Sequence, residues 1–400
     1  MKKLLIIGGG IAGLNAAKTA READNECEII ILESDNTNTY IRTRLPEYIS
    51  GEIDKASLFP YSDEWYKDNR IKLINNHVVT AVDVLRRVVL TSRESFQYDS
   101  LVIAAGSNPF KPDISGIRKA NIFSVRTIED SELVRKLALS EERTVCTIIG
   151  GGLLGLEMAW AVKQLGCNVN VVEYGSRLLP RQMDELGSGL LLDAIKAKGI
   201  NVYLNAQTEE FIGHKEVEAV RFKNGAVLKT DFVLLSTGVR ANIAPYAGIV
   251  NTEKAIVIDD FCETSVPGIY AAGDAAQHEE SNFCIWPVAI AQGKVAGHNA
   301  VSFGSSSYKR IRYNSFQPFT NLKIKGITAF SIGDIADENC EILHSYNEEA
   351  KKYIKLYIRN CVIVAAIVFG DSTTTLKIKK AVDQKKPISS CNINEILDSI

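Results

Sequence analysis

Leu4-Leu5-Ile6-Ile7-Gly8-Gly9-Gly10-Ile11-Ala12-Gly13 and Thr147-Ile148-Ile149-Gly150-Gly151-Gly152-Leu153-Leu154-Gly155 are two copies of one pattern. In each, an apolar run enters a G-x-G-x-x-G turn and a small residue follows, Ala17 in the first copy and Ala159 in the second. An acid then closes the next apolar run, Glu33 in one case and Glu173 in the other. The first glycine of such a motif permits a tight strand-to-helix turn, and the second lets a diphosphate approach the backbone. The third lets helix and strand pack closely, and the helix N-terminus carries the partial positive charge that an anion needs. The acids lie 20 residues beyond Gly13 and 18 beyond Gly155. That is the reach of one helix and one strand, which brings a carboxylate to an adenosine ribose. Such a carboxylate accepts hydrogen bonds from both ribose hydroxyls and repels a 2′-phosphate. One motif of this kind is weak evidence; two, each with its acid, predict two bound dinucleotides.

Composition supports an enzyme of several domains. The chain has 400 residues, 24% of them charged and 46% hydrophobic, which are ordinary globular values. A net charge of −2 gives no case for nucleic acid. The late apolar run from Cys361 to Phe369 is too short to span a bilayer. Met1-Lys2-Lys3 runs straight into the first apolar strand, so no signal peptide is expected. The eight cysteines (Cys27, Cys146, Cys167, Cys262, Cys284, Cys340, Cys361, Cys391) form no CxxC pair and no zinc spacing. They read as reduced, structural thiols of a cytoplasmic protein. The five histidines show no paired ligand spacing, and no metal is expected.

Each fingerprint opens a unit that closes on an apolar strand and a small-residue turn. The closing segments are Asp99 to Gly106 and Asp231 to Gly238. Similarity on this scale predicts an α/β fold in which one dinucleotide-binding domain is inserted in another. Residues 1–112 and 240–307 would form the outer domain and 113–239 the inserted one. Gly268 to Asp274 reads as a further strand, Val288 to Val301 as a helix, and Gly304 to Ser307 as a polar linker. Residues 308–400 carry strand-like runs at Tyr353 to Ile358 and Val362 to Phe369 and a helix near Ile393 to Leu397. They predict a small α+β domain.

With these motifs in place, the chain resembles flavoproteins of the pyridine-nucleotide-disulfide oxidoreductase superfamily over essentially its whole length. The resemblance implies FAD on the first fingerprint and NADH, the electron donor, on the second. Ala271-Ala272-Gly273-Asp274 is similar to the second FAD motif of that superfamily, whose aspartate binds the ribityl chain. A redox cysteine or Cys-x4-Cys pair is expected about thirty residues after the fingerprint in its disulfide reductases. Here Thr39-Tyr40-Ile41-Arg42-Thr43-Arg44-Leu45-Pro46-Glu47 holds none. A thiol–disulfide relay needs a thiolate beside the flavin, so that chemistry is not expected. The same stretch is similar to the arginine-containing segment of rubredoxin and ferredoxin reductases and of the flavin part of NADH-dependent nitrite reductases.

The resemblance also implies a set of site residues. Gly8, Gly10, Ile11, Ala12, Gly13, Glu33, Ala104, Ala105, Gly106, Gly273 and Asp274 would hold FAD. Arg42 and Arg44 would lie near its diphosphate or flavin, since guanidinium groups bind diphosphates well. Gly152, Leu153, Leu154, Gly155 and Glu173 would hold NADH, and Glu157 would lie near the nicotinamide. Arg126, Val79, Gly238 and Trp286 complete the cofactor-binding set, with Glu157 and Arg42 as the catalytic pair. Two departures stand out. Glu47 occupies a position where many relatives carry a lysine paired with a glutamate at Glu157, so that pair is not expected here. Ala105 replaces a threonine that Thr237 retains in the second copy.

The function this implies is hydride transfer from NADH to flavin, then electron delivery to a small carrier protein such as rubredoxin. Alternatives are the flavoprotein component of NADH-dependent nitrite reduction, an NADH oxidase, or a quinone reductase. The last is suggested by Ala289-Ile290-Ala291-Gln292-Gly293, similar to a motif of type II NADH dehydrogenases. The sequence does not name the acceptor or the oligomeric state.

Overall fold

In the computed structural model, residues 2–142, 144–304, 309–314, 317–388 and 392–400 are described. Most of the expected linker, Ser305 to Ser307, lies outside the described residues, as does Cys391. The chain divides into two compact units. The first comprises Met1–Arg44, Ile53–Phe110 and Gly238–Ser315; the second comprises Leu45–Glu52, Lys111–Thr237 and Phe316–Ile400.

The first unit is built on a five-stranded parallel sheet. Its order is Ile269–Ala271, Ser100–Ile103, Lys3–Ile7, Glu28–Leu32, Ile71–Ile74. The central strands are continuous apolar runs, buried on both faces as parallel sheets require. A three-stranded antiparallel sheet (Val79–Asp83, Val88–Thr91, Ser95–Gln97) adds to it. The fingerprint helix Ile11–Ala23 packs against the helix Trp286–Ser302 at very short range. A Cβ on Gly293 would lie 2.3 Å from the Ala12 carbonyl oxygen, and one on Gly297 only 2.0 Å from that of Ala16. Small residues on both helices therefore set their separation.

The second unit repeats the plan. Its parallel sheet runs Ile200–Tyr203, Asn168–Val172, Val145–Ile149, Phe232–Leu235, Ile122–Phe123. It too has a three-stranded antiparallel sheet, Thr208–Ile212, Ala219–Phe222 and Val227–Lys229. The fifth strand is supplied from opposite directions in the two units. In the first it follows the inserted segment, and in the second it precedes the fingerprint.

The rest of the second unit is a five-stranded antiparallel sheet in the order Phe319–Asn321, Ala329–Ile332, Val362–Phe369, Lys352–Arg359, Glu341–Asn347. Helices Ser372–Asp383 and Ile393–Ser399 complete it. Ile332, Leu356, Ala366, Val368 and Ile378 form its fully buried centre. Among the described residues, no helix is long and apolar enough to cross a membrane.

Candidate functional site

The two fingerprints form cradles of the same plan. Gly8 and Gly150 have φ of +98° and +114°, a region that side chains disfavour. A Cβ on Gly8 would sit 2.2 Å from the Ala104 oxygen, and one on Gly150 the same 2.2 Å from the Ser236 oxygen. At Gly13 and Gly155 a Cβ would lie 2.0 Å from the oxygens of Gly8 and Gly150 respectively. Around Gly10 and Gly152, by contrast, nothing lies within 4 Å of an added Cβ. These are the positions where a diphosphate approaches the backbone. Both also head helices, Ile11–Ala23 and Leu153–Gln164, that have no side-chain cap. Their first amides are thus available to an anion. The residues fit a dinucleotide at each cradle.

The acids are fixed in the same way. Glu33 Oε2 accepts from the Gly9 amide at 2.6 Å, and Glu173 Oε2 from the Gly151 amide at 2.6 Å. Glu33 is buried, and its other oxygen accepts from the Ser34 hydroxyl and the Asp35 amide, each at 3.0 Å. Glu173 is half-buried; its other oxygen accepts from the Gly175 amide at 2.7 Å. Both carboxylates are thereby held at the ends of their second strands.

Within the first unit, several of the expected residues lie against the fingerprint or its closing strand. Gly273 lies so close to the fingerprint helix that a Cβ on it would meet the Ala12 methyl at 2.9 Å. Its amide donates to Gln292 Oε1 at 2.9 Å. Asp274 accepts from the buried Ser107 hydroxyl at 2.6 Å, and the Asn242 amide group donates to the Ala105 oxygen at 2.9 Å. Ala104 is joined to Ile7 by a 2.7 Å backbone bond, and Gly106 takes the positive φ that ends the strand. Arg42 and Arg44 bound a short 3-10 turn. Arg42 is ion-paired to Asp35 at 3.0 Å and lies over the Tyr40 ring, which ties it to the Glu33 loop. Arg44 donates to the Ser57 oxygen. Trp286 is the first residue of the helix that packs on Ala12, Val79 lies in the antiparallel sheet, and Gly238 accepts from the Phe110 amide.

Ser107, Gln292 and Asn242 were not among the expected site residues. Gln292 and Gly293 were visible as part of a motif suggestive of quinone reductases. Their roles here are local: one caps the Gly273 amide and the other admits the fingerprint helix.

In the second unit, Leu153 and Leu154 begin the fingerprint helix, and Glu157 stands in its first turn. Arg126 precedes the helix Ile128–Ala138, its amide bound to Asp130 at 2.9 Å. Glu157 is joined by residues from two distant segments. Its Oε1 accepts from the Lys323 backbone amide at 3.0 Å, and Lys323 Nζ lies 3.5 Å from Glu47 Oε1. Burial pushes the Glu157 carboxyl up to about 7; the amide and charge of Lys323 oppose the rise, and the charge of Glu47 adds to it. The sequence predicted no lysine at Glu157. Lys323, from the C-terminal domain, meets Glu157 through its backbone amide, and its ammonium group pairs with Glu47.

Cys27, Cys146, Cys167 and Cys262 are buried, and burial raises all four thiols. A raised thiol holds little thiolate and is a poor redox nucleophile.

Residues 2–293 match the family described as pyridine nucleotide-disulphide oxidoreductase. The chain belongs to that family. Members are FAD-dependent oxidoreductases coupled to pyridine nucleotides, in accord with two cradles on one chain. Residues 318–386 match a second family, the rubredoxin NAD+ reductase C-terminal domain. The chain is 30% identical to the NADH-rubredoxin oxidoreductase of Clostridium acetobutylicum, covering 100% of this chain and 99% of that one. The crystal structure of NADH:rubredoxin oxidoreductase from that organism is similar with a TM-score of 0.81 at 29% identity, again over 100% and 99% of the two chains. The nitrite reductase [NAD(P)H] of Bacillus subtilis is likewise 30% identical over 100% of this chain. The chain spans about half the length of that relative, 49%.

Proposed function

We propose that this family member is an NADH-driven flavoenzyme that delivers electrons to a small carrier protein of the rubredoxin type. The observation that carries this reading is the C-terminal match at residues 318–386, joined to likeness over the full length of an NADH-rubredoxin oxidoreductase. A second reading, the flavoprotein component of nitrite reduction, is favoured by the half-length likeness to nitrite reductase. The domain assignment follows: FAD on residues 1–112 and 240–307, NADH on 113–239, and a C-terminal domain from 308.

When bound, FAD supplies the ability to take a hydride and release electrons one at a time. The protein contributes orientation and charge. Gly10 and Gly152 would admit the diphosphates, Glu33 and Glu173 would bind ribose hydroxyls, and Asp274, held by Ser107, would bind the ribityl chain. Arg42, Arg44 and Arg126 supply positive charge toward the FAD and nucleotide phosphates. The carboxylate of Glu173 disfavours a 2′-phosphate.

The test is direct. Purified protein should be yellow, release FAD and not FMN on denaturation, and couple NADH oxidation to rubredoxin reduction. A colourless protein that FAD does not reconstitute would sink the reading. NADH-dependent bleaching of the flavin with no transfer to rubredoxin, but with transfer to a siroheme-containing partner, would select the nitrite reading instead.

A further inference from the structure

Three segments remote in sequence meet at the head of the second fingerprint helix. Glu157 stands two residues past Gly155, Glu47 lies on the short helix Leu45–Ser50 that packs on this helix, and Lys323 follows the strand Phe319–Asn321. The Lys323 contact has two separable parts. Its backbone amide donates to Glu157, while its ammonium group pairs with Glu47. The other elements packed on the fingerprint helix, Val145–Ile149, Asn168–Val172 and Ile200–Tyr203, present no charged side chain, Tyr203 and Cys146 being their titratable groups. Among the described residues, Lys323 and Glu47 are therefore the charges that act on Glu157.

We infer that Glu157, Lys323 and Glu47 form a proton-holding site that biases the NADH cradle between reduced and oxidised nucleotide, with Lys323 as its positioning residue. The consequence follows from charge. The nicotinamide ring is cationic in NAD+ and neutral in NADH. A Glu157 carboxylate favours NAD+, whereas the protonated acid leaves NADH without that competition. Glu157 is half-buried, and the loss of solvent there raises its carboxyl to about 7, so the charge of the cluster changes near neutrality. Raising pH through that value therefore strengthens NAD+ binding relative to NADH, and lowering it favours NADH. The link to nicotinamide rests on the NADH reading above; the cluster itself does not.

Two substitutions move the site in opposite directions. Lys323→Met keeps the backbone amide and removes only the positive charge, so the Glu157 titration moves up. Glu47→Gln removes the negative charge that raises Glu157, so its titration moves down. Each shift is about one pH unit, and Lys323→Arg restores the parent value. A purely structural contact gives no such pair of opposite shifts.

The experiment is a carbon-13 NMR titration of carboxyl-labelled glutamate in the flavin-loaded protein, with Glu157→Gln to assign the signal. Nucleotide affinities are then measured by calorimetry with NAD+ and NADH across the same pH range. Opposite shifts of the Glu157 signal, followed by the NAD+/NADH affinity ratio, support the inference. Titration in the ordinary carboxylate range, shifts of one sign, or an affinity ratio that ignores pH overturns it. Failure of the NADH reading looks different: the carboxyl signal still shifts as expected, but neither nucleotide binds.

Discussion

The two cradles share their closest clearances at the first and last glycines, 2.2 Å and 2.0 Å in both, and differ in what closes over them. In the first, Glu33 is 6% exposed and bound on both oxygens, and the loop beyond it is tied down by Arg42 and Asp35. Its helix is locked to a second long helix through Gly293 and Gly297. In the second, Glu173 is only half-buried, the next residue, Tyr174, is 72% exposed, and Leu154 beside the turn is 42% exposed. One fingerprint is thus built into the core, and its twin opens toward solvent. The difference suits a cofactor that stays and a nucleotide that must exchange at every turnover.

Alanine at the open glycines breaks this comparison most severely. Gly10→Ala and Gly152→Ala each add a methyl group where no protein atom lies within 4 Å, so neither disturbs the apoprotein. The methyl group instead occupies the space of the diphosphate. Gly10→Ala should yield folded, colourless protein. Gly152→Ala should remain yellow while NADH-driven bleaching falls by roughly two orders of magnitude, the scale of about 2–3 kcal/mol of overpacking. Flavin content by absorbance and bleaching rate by stopped flow separate the two. If Gly152→Ala loses FAD as readily as Gly10→Ala does, the division of labour between the cradles is wrong.

A smaller effect sharpens the second cradle. Glu173 should discriminate against NADPH by about 1.5–3 kcal/mol, the value of a charge-assisted hydrogen bond to the ribose. That is roughly one to two orders of magnitude in kcat/KM. Arg177, four residues on, is near enough in sequence to offset part of the phosphate charge, so preference and not exclusion is expected. Glu173→Ala should narrow the gap, with kcat/KM measured for both nucleotides. Equal values in the parent enzyme would refute the assignment of Glu173.

What the sequence revealed about these cradles has a physical pattern. A fingerprint needs turn, helix and acid within some two dozen residues, so both copies were legible, as were their acids and the long C-terminal strands. The strand Ile122–Phe123 was not, because two residues carry no periodicity and it joins the sheet only through Phe232–Leu235. Ser107 reaches Asp274 across 167 positions, and Lys323 reaches Glu157 across 166. No local spacing announces such partners. The sequence signalled a departure at Glu47, yet only the fold could show that Lys323 lies beside both it and Glu157. Gln292 was visible within a motif, but its bond to the Gly273 amide and the close helix crossing at Gly293 were not, because both are contacts between segments.

Neither cradle specifies the acceptor, and charge is the remaining handle. From residue 308 onward the chain has 14 Lys/Arg against 10 Asp/Glu, a net of +4, while the preceding 307 residues have 32 against 38, a net of −6. A small acidic carrier would be steered toward the basic end. The structure tempers that expectation, because many of these cations already have partners. Lys379 pairs with Asp383 at 2.5 Å and lies over the Phe319 ring, and Lys377 donates to the Leu397 oxygen. Arg310 pairs with Glu263, Arg312 with Asp260, and Lys352 with Asp371. A paired surface cation projects little field beyond its partner. Steering should therefore be modest, with rubredoxin reduction falling several-fold as salt rises from low to about 0.15 M and reduction of a neutral dye unchanged. Reversing Lys380 to Glu should cost roughly two- to five-fold at low salt and nothing at high salt, as rim charges do. Asp383→Asn should have the opposite sign, because it releases Lys379. A carrier rate indifferent to ionic strength and to both substitutions would remove charge as a reason to place the carrier at this domain.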